Sequence, residues 1–292
     1  MIKRIHFLLF TILIPGLVIG QGSKTDSLLV VLKNTTVDTT KVNVLLSISS
    51  AFLKTDPRQA ISYGTQALNI AKDAGFRKGQ ALALKNIGIG YYMQSKYLET
   101  IDYWKQSLAV FQQMNDLVGI ANINNNLGVI YFNQSNDANA LSYYLKSLEA
   151  SQKTGDKLRI ATAMLNIGTV YSDKEATHDK ALDYYLRALP ISMASGDSDA
   201  IGTNTVDLGE IYFKKEDYKS ALIYFEQSLK AYANSENKPY SLNYIGKVYS
   251  KRKNYPAAIG YHQEALNISQ KLDAKLDMTQ SLIGLAEADT GR

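Results

Sequence analysis

The sequence predicts an all-α fold, an α-solenoid of stacked helix–turn–helix repeats, and three observations carry that prediction. Glycines recur at a nearly fixed period: Gly88, Gly128, Gly168, Gly209, Gly246 and Gly284 are 40, 40, 41, 37 and 38 residues apart. Two tyrosine columns share the period. Tyr91, Tyr131, Tyr171, Tyr212 and Tyr249 each stand three residues after a glycine, and Tyr103, Tyr143, Tyr184, Tyr224 and Tyr261 follow further on. No stretch alternates apolar and polar residues for long enough to compete as a strand. Such a period marks an array in which each unit buries its apolar face against its neighbours.

The first element is an address. Lys3 and Arg4 precede an apolar stretch from Ile5 to Ile19, and Val18-Ile19-Gly20 offers modest side chains at −3 and −1. Residues 1–20 therefore read as a secretory signal cleaved before Gln21. The alternative, a retained signal anchor, has a stretch short of the roughly 20 apolar residues of a spanning helix and is interrupted by Pro15-Gly16. No later segment is apolar enough to span a membrane. Residues 21–40 then form a linker with a short capping helix over Asp26–Lys33. Asp38 is the expected N-cap of the next helix, and Asp56-Pro57 opens another with proline at its first position.

Residues 41–292 hold about six helix pairs and a terminal helix. In the copy around Gly128, Asn124, Leu127, Gly128 and Tyr131 lie at i, i+3, i+4 and i+7, one helical face. The second helices are expected to restart at Thr100, Ala140, Ala181, Ala221 and Ala258, followed by Ile101, Leu141, Leu182, Leu222 or Ile259. A degenerate earlier copy carries Ser49, Phe52, Ala60, Ile61, Tyr63 and Leu68. Small residues in the glycine and alanine columns let paired helices approach, and leucines and tyrosines fill the space beside them. Thr154-Gly155-Asp156 and Ser195-Gly196-Asp197 are stop-and-start signals, the glycine ending one helix and the aspartate favouring the next.

The composition narrows function. The 292 residues contain no cysteine, which excludes disulfide frameworks, thiolate metal sites and cysteine nucleophiles. Net charge is +5, and loss of Lys3 and Arg4 with the signal leaves 5 − 2 = +3. Lys251-Arg252-Lys253 is the one basic triplet, at an inter-helix turn, so the charge makes no case for nucleic acid. His178 aligns with the turn residues Tyr97, Tyr218 and Tyr255. His262 aligns with the core rings Trp104, Tyr144, Tyr185 and Phe225, so no histidine pair stands at metal-ligand spacing. Gly88-Ile89-Gly90 lacks the preceding strand of a phosphate loop. No catalytic, metal or cofactor site is expected.

"NLGVIYF" (126–132), "LNIGTVY" (165–171) and "ALDYYLRAL" (181–189) resemble the two helix signatures of the tetratricopeptide repeat in its longer variant of about forty residues. The resemblance covers about residues 41–292 and implies a right-handed superhelix whose first helices line a concave groove. The family's aromatic near the first-helix start is replaced by Leu84, Asn124 and Met164, and its proline after the second helix by the Gly-Asp linker. Residues 25–68 resemble the opening of periplasmic repeat regions in bacterial sensor histidine kinases and transcription regulators. That implies a periplasmic, non-catalytic protein- or peptide-binding scaffold with a place in signal transduction.

The groove stripe follows from the columns. In the copy around Gly128 it holds Asn122, Asn125, Asn126, Val129, Phe132 and Asn133; one copy earlier it holds Leu82, Lys85, Asn86, Ile89, Tyr92 and Met93. Later copies add Asn166, Asp207, Asn243 and Lys247. Asn86, Asn126 and Asn166 share one column. An amide both donates and accepts, so a ladder of amides can grip an extended peptide backbone. In peptide-binding members of the family, asparagine at this position does so. The competing reading is that these amides bond the neighbouring helix and set repeat-to-repeat geometry. A third reading takes the aromatics Tyr92, Phe132 and Phe213 as a platform for a non-peptide ligand such as a glycan. Partner identity and oligomeric state are not legible.

Overall fold

The computed structural model describes residues 18–291, with side chains from Thr25 onward; the signal-peptide reading of residues 1–20 therefore lies largely outside the described residues. Fourteen α-helices and one short 3-10 turn (Glu175–Thr177) make up the secondary structure, with no strand among the described residues. They are α1 (Val18–Asn34), α2 (Asp38–Phe52), α3 (Pro57–Asp73), α4 (Arg77–Met93), α5 (Tyr97–Gln113), α6 (Leu117–Asn133), α7 (Asp137–Thr154), α8 (Lys157–Tyr171), α9 (His178–Ser195), α10 (Ser198–Lys214), α11 (Tyr218–Ala231), α12 (Lys238–Lys251), α13 (Tyr255–Lys271) and α14 (Lys275–Thr290). The chain divides into two compact units, one ending at Arg159 and the other starting at Ile160. Each is an all-α stack of helix pairs.

The glycine column joins the two helices of a pair. A Cβ built on Gly88 would stand 2.3 Å from the Trp104 ring, and one on Gly128 would stand 2.5 Å from Tyr144. In the second unit the same holds for Gly168 on Tyr185 at 2.4 Å, Gly209 on Phe225 at 2.6 Å and Gly246 on His262 at 2.6 Å. Each ring thus lies directly on the backbone of its partner helix, where a Cβ would collide with it. The two tyrosine columns stack on each other: Tyr91–Tyr103 and Tyr131–Tyr143 at 5.3 Å between centroids, Tyr171–Tyr184 at 6.0 Å, and Tyr212–Tyr224 and Tyr249–Tyr261 at 5.4 Å. Serines add a polar tie, Ser107 Oγ donating to the Ala81 carbonyl at 2.8 Å and Ser147 Oγ to that of Ala121 at 2.9 Å.

The helix starts differ from the sequence reading. Second helices begin at Tyr97, Asp137, His178, Tyr218 and Tyr255, three residues ahead of the small-residue column. Caps fix the starts of several of them: Asn136, Asp217 and Asn254 accept hydrogen bonds from the backbone N–H of Asn139, Ser220 and Ala257. Asp38 is the first residue of α2 rather than its cap, a position taken by Val37 without a side-chain bond. The capping helix runs from Val18 rather than Asp26. Asp56 does cap α3, accepting from Arg58 N and Gln59 N, with Pro57 at the first helical position. Gly155 and Gly196 end α7 and α9 in the left-handed region, at φ 69° and 68°. His178 is not a solvated turn residue: it opens α9 and is buried. Its pKa is lowered, first by that burial.

Candidate functional site

In the first unit the first helices α4 and α6 present their uncovered faces to a pocket of about 270 Å³, lined by Lys78, Leu82, Lys85, Phe111, Asp116, Val118, Gly119 and Asn122. Residues 78, 82 and 85 are one stripe of α4, and 118, 119 and 122 one stripe at the start of α6. Phe111 enters from the last turn of α5. It reaches the pocket because Gly119 has no side chain; a Cβ there would stand 2.2 Å from the Phe111 ring. Asp116 caps α6, its Oδ1 accepting from Gly119 N at 2.9 Å.

The polar groups of the pocket are mostly donors. Lys85 is half-buried, and its ammonium makes no hydrogen bond or ion pair with any described residue. Burial pulls its pKa down. Its carbonyl accepts the Trp104 indole N–H at 3.1 Å, which fixes that turn of α4 against α5. Lys78 is exposed at the rim. The Oδ1 of Asn122 accepts from Arg159 Nε at 2.9 Å, and Arg159 also pairs with Asp156. The amide N–H₂ of Asn122 is left as a donor.

The eight groove residues read from the sequence play different parts. Asn122 lines the pocket. Asn86 is buried and turned to the preceding first helix, its Nδ2 3.0 Å from Ser50 Oγ and 3.3 Å from the Leu46 carbonyl on α2. Asn125 is half-buried with a partner, whereas Asn126 is half-buried and makes no hydrogen bond among the described residues. In the second unit, Asn166 and Asp207 are buried and partnered. Asn243 is buried between His262, whose Nδ1 is 2.9 Å from its Oδ1, and the Asp277 carbonyl at 3.4 Å. Lys247 donates to Gln280 Oε1 at 3.1 Å and lies 4.7 Å from the centroid of the Tyr244 ring.

The aromatic platform of the glycan reading is not an open surface. Tyr92 and Phe132 are each 9% exposed, and Tyr92 packs on Trp104 and edge-on to Tyr97. Phe213 is half-buried, against Tyr218 and Tyr244. These positions serve the core because the ring column of the second helix reaches under them. Phe111, Asp116 and Arg159 were missed in the sequence, since a pocket made from one helix end and the next helix start has no periodic signature. Among the described residues no group of three or more His, Cys, Asp or Glu could hold a metal ion, and no helix is long and apolar enough to cross a membrane.

Comparison with known families rests on the same repeats. One tetratricopeptide repeat model matches residues 119–192 and 174–234, and a second matches 240–272, together about half of the chain. The chain belongs to the tetratricopeptide repeat (TPR) family. No curated protein matches this TPR chain. Among solved structures it is similar to a signal-transduction ATPase with a TPR sensor from Pyrococcus horikoshii, at 20% identity and a TM-score of 0.74 over 86% of this chain and 39% of that one. It spans well under half of that protein. The apo form of RapI is 19% identical, with a TM-score of 0.63 over 86% and 98% of the two chains. A Rap protein complexed with Competence and Sporulation Factor is 15% identical, with a TM-score of 0.62 over 91% and 79%. At such identities the likeness establishes the TPR fold, and function has to be argued from the site.

Proposed function

We propose that this TPR chain is a non-catalytic scaffold that holds an extended segment of a protein partner along the uncovered faces of its first helices. The observation that carries the reading is the pocket between α4 and α6. At about 270 Å³ it has room for one or two side chains and is smaller than a typical cofactor site. It sits on the stripe that also holds the open amide of Asn126. A pocket for a side chain beside an amide for a backbone is what an extended peptide requires. The Rap structure with its factor bound supports the same use of this fold.

We further propose that the chain acts after export to the periplasm, within signal transduction. The basic, then apolar, then small-residue order of residues 1–20 supports export. The similarity of residues 25–68 to the opening of sensor repeat regions supports the role.

Two experiments test these readings. The full chain, immobilised, is used to select from a random dodecapeptide library, and the bound peptides are mapped by hydrogen exchange. Protection of α4 and α6 amides is the expected result; no enrichment, or protection confined to other helices, refutes the scaffold reading. A reporter fused after residue 40 should be exported only when residues 1–20 are intact, and retention inside the cell with them intact refutes export.

A further inference from the structure

Helices on the outside of a repeat array normally turn a polar face to water. In this structure α14 turns an apolar one. The position just before the column glycine is aliphatic in every copy. Ile87, Leu127, Ile167, Leu208 and Ile245 are at most 1% exposed there, whereas Ile283 is 46% exposed. The glycine beside it gives the reason. Gly88, Gly128, Gly168, Gly209 and Gly246 each rest on a ring of the helix that follows them. Gly284 rests instead on His262 of α13, the helix before it, where a Cβ would stand 2.3 Å from the ring. With Ser281, Gly284 and Ala288 turned inward, Ile283 comes out of the core, and Leu276 and Leu282 are about half exposed beside it. The inward side is tied down: the Asp277 carbonyl accepts from Asn243, and Gln280 Oε1 accepts from Lys247.

The exposed face is its own complement when inverted. Lys275, Thr279, Leu282, Ala286 and Asp289 follow one another at steps of four and three residues, one helical stripe, and all five are exposed. Lys275 and Asp289 each lie seven residues from Leu282, two turns to either side, and neither forms an ion pair with a described residue. We propose that α14 is a homodimerisation surface. The α14 helices of two copies pack antiparallel about Leu282 and Ile283, each Lys275 meeting the Asp289 of the other copy. A parallel pairing would set lysine on lysine and aspartate on aspartate, whereas the antiparallel one joins opposite charges at both ends and opposes the helix dipoles. Thr279 and Ala286 are small enough for close approach. The contact is isologous, so it closes at two copies. A helix of 16 residues is about 24 Å long, which places this contact at the small end of specific interfaces and its dissociation in the micromolar range.

Sedimentation equilibrium of the purified full chain across the micromolar range is the test. Wild type should pass from monomer to dimer and no further. Leu282→Glu and Ile283→Glu, at half-exposed positions where the fold has little to lose, should each weaken the dimer by about 30-fold or more. Lys275→Glu and Asp289→Lys each create two like-charge contacts and should weaken it by about 5- to 30-fold, less at high salt. An equimolar mixture of those two single variants should recover the wild-type affinity, because every end contact in the mixed dimer again joins opposite charges. Circular dichroism melting verifies that each variant is folded. A chain that stays monomeric throughout overturns the inference. So does association that survives both Leu282→Glu and Ile283→Glu, as self-association through the apolar residues 5–19 would. A mixture no tighter than its separate variants overturns the antiparallel pairing. None of these outcomes bears on peptide binding by the first unit.

Discussion

Gly128→Ala sets helix propensity against packing. In an exposed helix interior the change gains about 1 kcal/mol. Here the new Cβ would stand 2.5 Å from both Cδ1 and Cε1 of Tyr144 and 3.0 Å from Cζ. Carbon pairs rest at about 3.5–4.0 Å, so ring or helix must retreat by roughly 1 Å. Tyr144 is 2% exposed, so its ring lies within the core. Overpacking of this kind costs about 1–3 kcal/mol, enough to reverse the propensity gain at most of that range. Gly260, on α13, is the internal control: a Cβ there meets nothing within 4 Å. Gly260→Ala should stabilise by about 1 kcal/mol, and Gly128→Ala should destabilise by up to about 2 kcal/mol. Repeat arrays need not unfold in one step, so urea titration should be paired with hydrogen exchange of α6 and α13 amides. If Gly128→Ala stabilises as Gly260→Ala does, the ring does not rest on that backbone and the account of how the pairs are joined is wrong.

Further predictions concern pH, the amide column and the turns. His262 is fully buried, and burial first, then the nearby charge of Lys247, lowers its pKa from 6.5 to about 4. The unfolded chain takes up that proton near pH 6.5 and the folded chain only near 4. Its contribution is therefore complete above pH 6.5 and lost as pH falls to about 4, on the order of 3 kcal/mol at 1.36 kcal/mol per unit. Urea midpoints against pH should show that acid limb, and His262→Phe should flatten it. Asn86→Ala should cost about 1–2 kcal/mol in thermal melting because it strips two partners on α2, whereas Asn126→Ala should cost about 0.5 kcal/mol or less and weaken peptide binding. Glu216 holds φ at 61° on an exposed turn, and Glu216→Gly should raise stability by about 0.5–1 kcal/mol, read from the melting temperature.

The fold was legible because its joints are written in backbone-scale chemistry. A residue without a side chain at every fortieth position, with a ring sixteen or seventeen residues later, has few explanations other than a ring lying on a helix. Helix starts were harder. The small-residue column marks where two helices touch, and the caps that begin each helix lie outside it, at Asn136, Asp217 and Asn254. The site was half legible. Lys85 and Asn122 fall on the groove stripe by periodicity alone. That Lys85 lacks a partner, that Asn122 has one in Arg159, and that Phe111 fills the floor over Gly119 depend on where non-periodic helix ends meet.

The asparagine column shows why one residue type at one repeat position need not have one task. Asn86 is tied inward because the preceding first helix presents Ser50, 36 residues earlier, within 3.0 Å of its amide. The position 36 residues before Asn126 is Gly90, which has no side chain to offer and could not be given one cheaply, since a Cβ there would stand 2.6 Å from Ile61. Asn126 thus lacks the hydroxyl that Asn86 bonds, and it makes no hydrogen bond among the described residues. The two unbonded groups, the Asn126 amide and the Lys85 ammonium, both belong to first helices of the first unit. Elsewhere in the column and its neighbours, as at Asn243 and Lys247, the corresponding groups are already bonded. The proposed peptide site lies on the face where the repeat pattern leaves the Asn126 amide and the Lys85 ammonium unbonded.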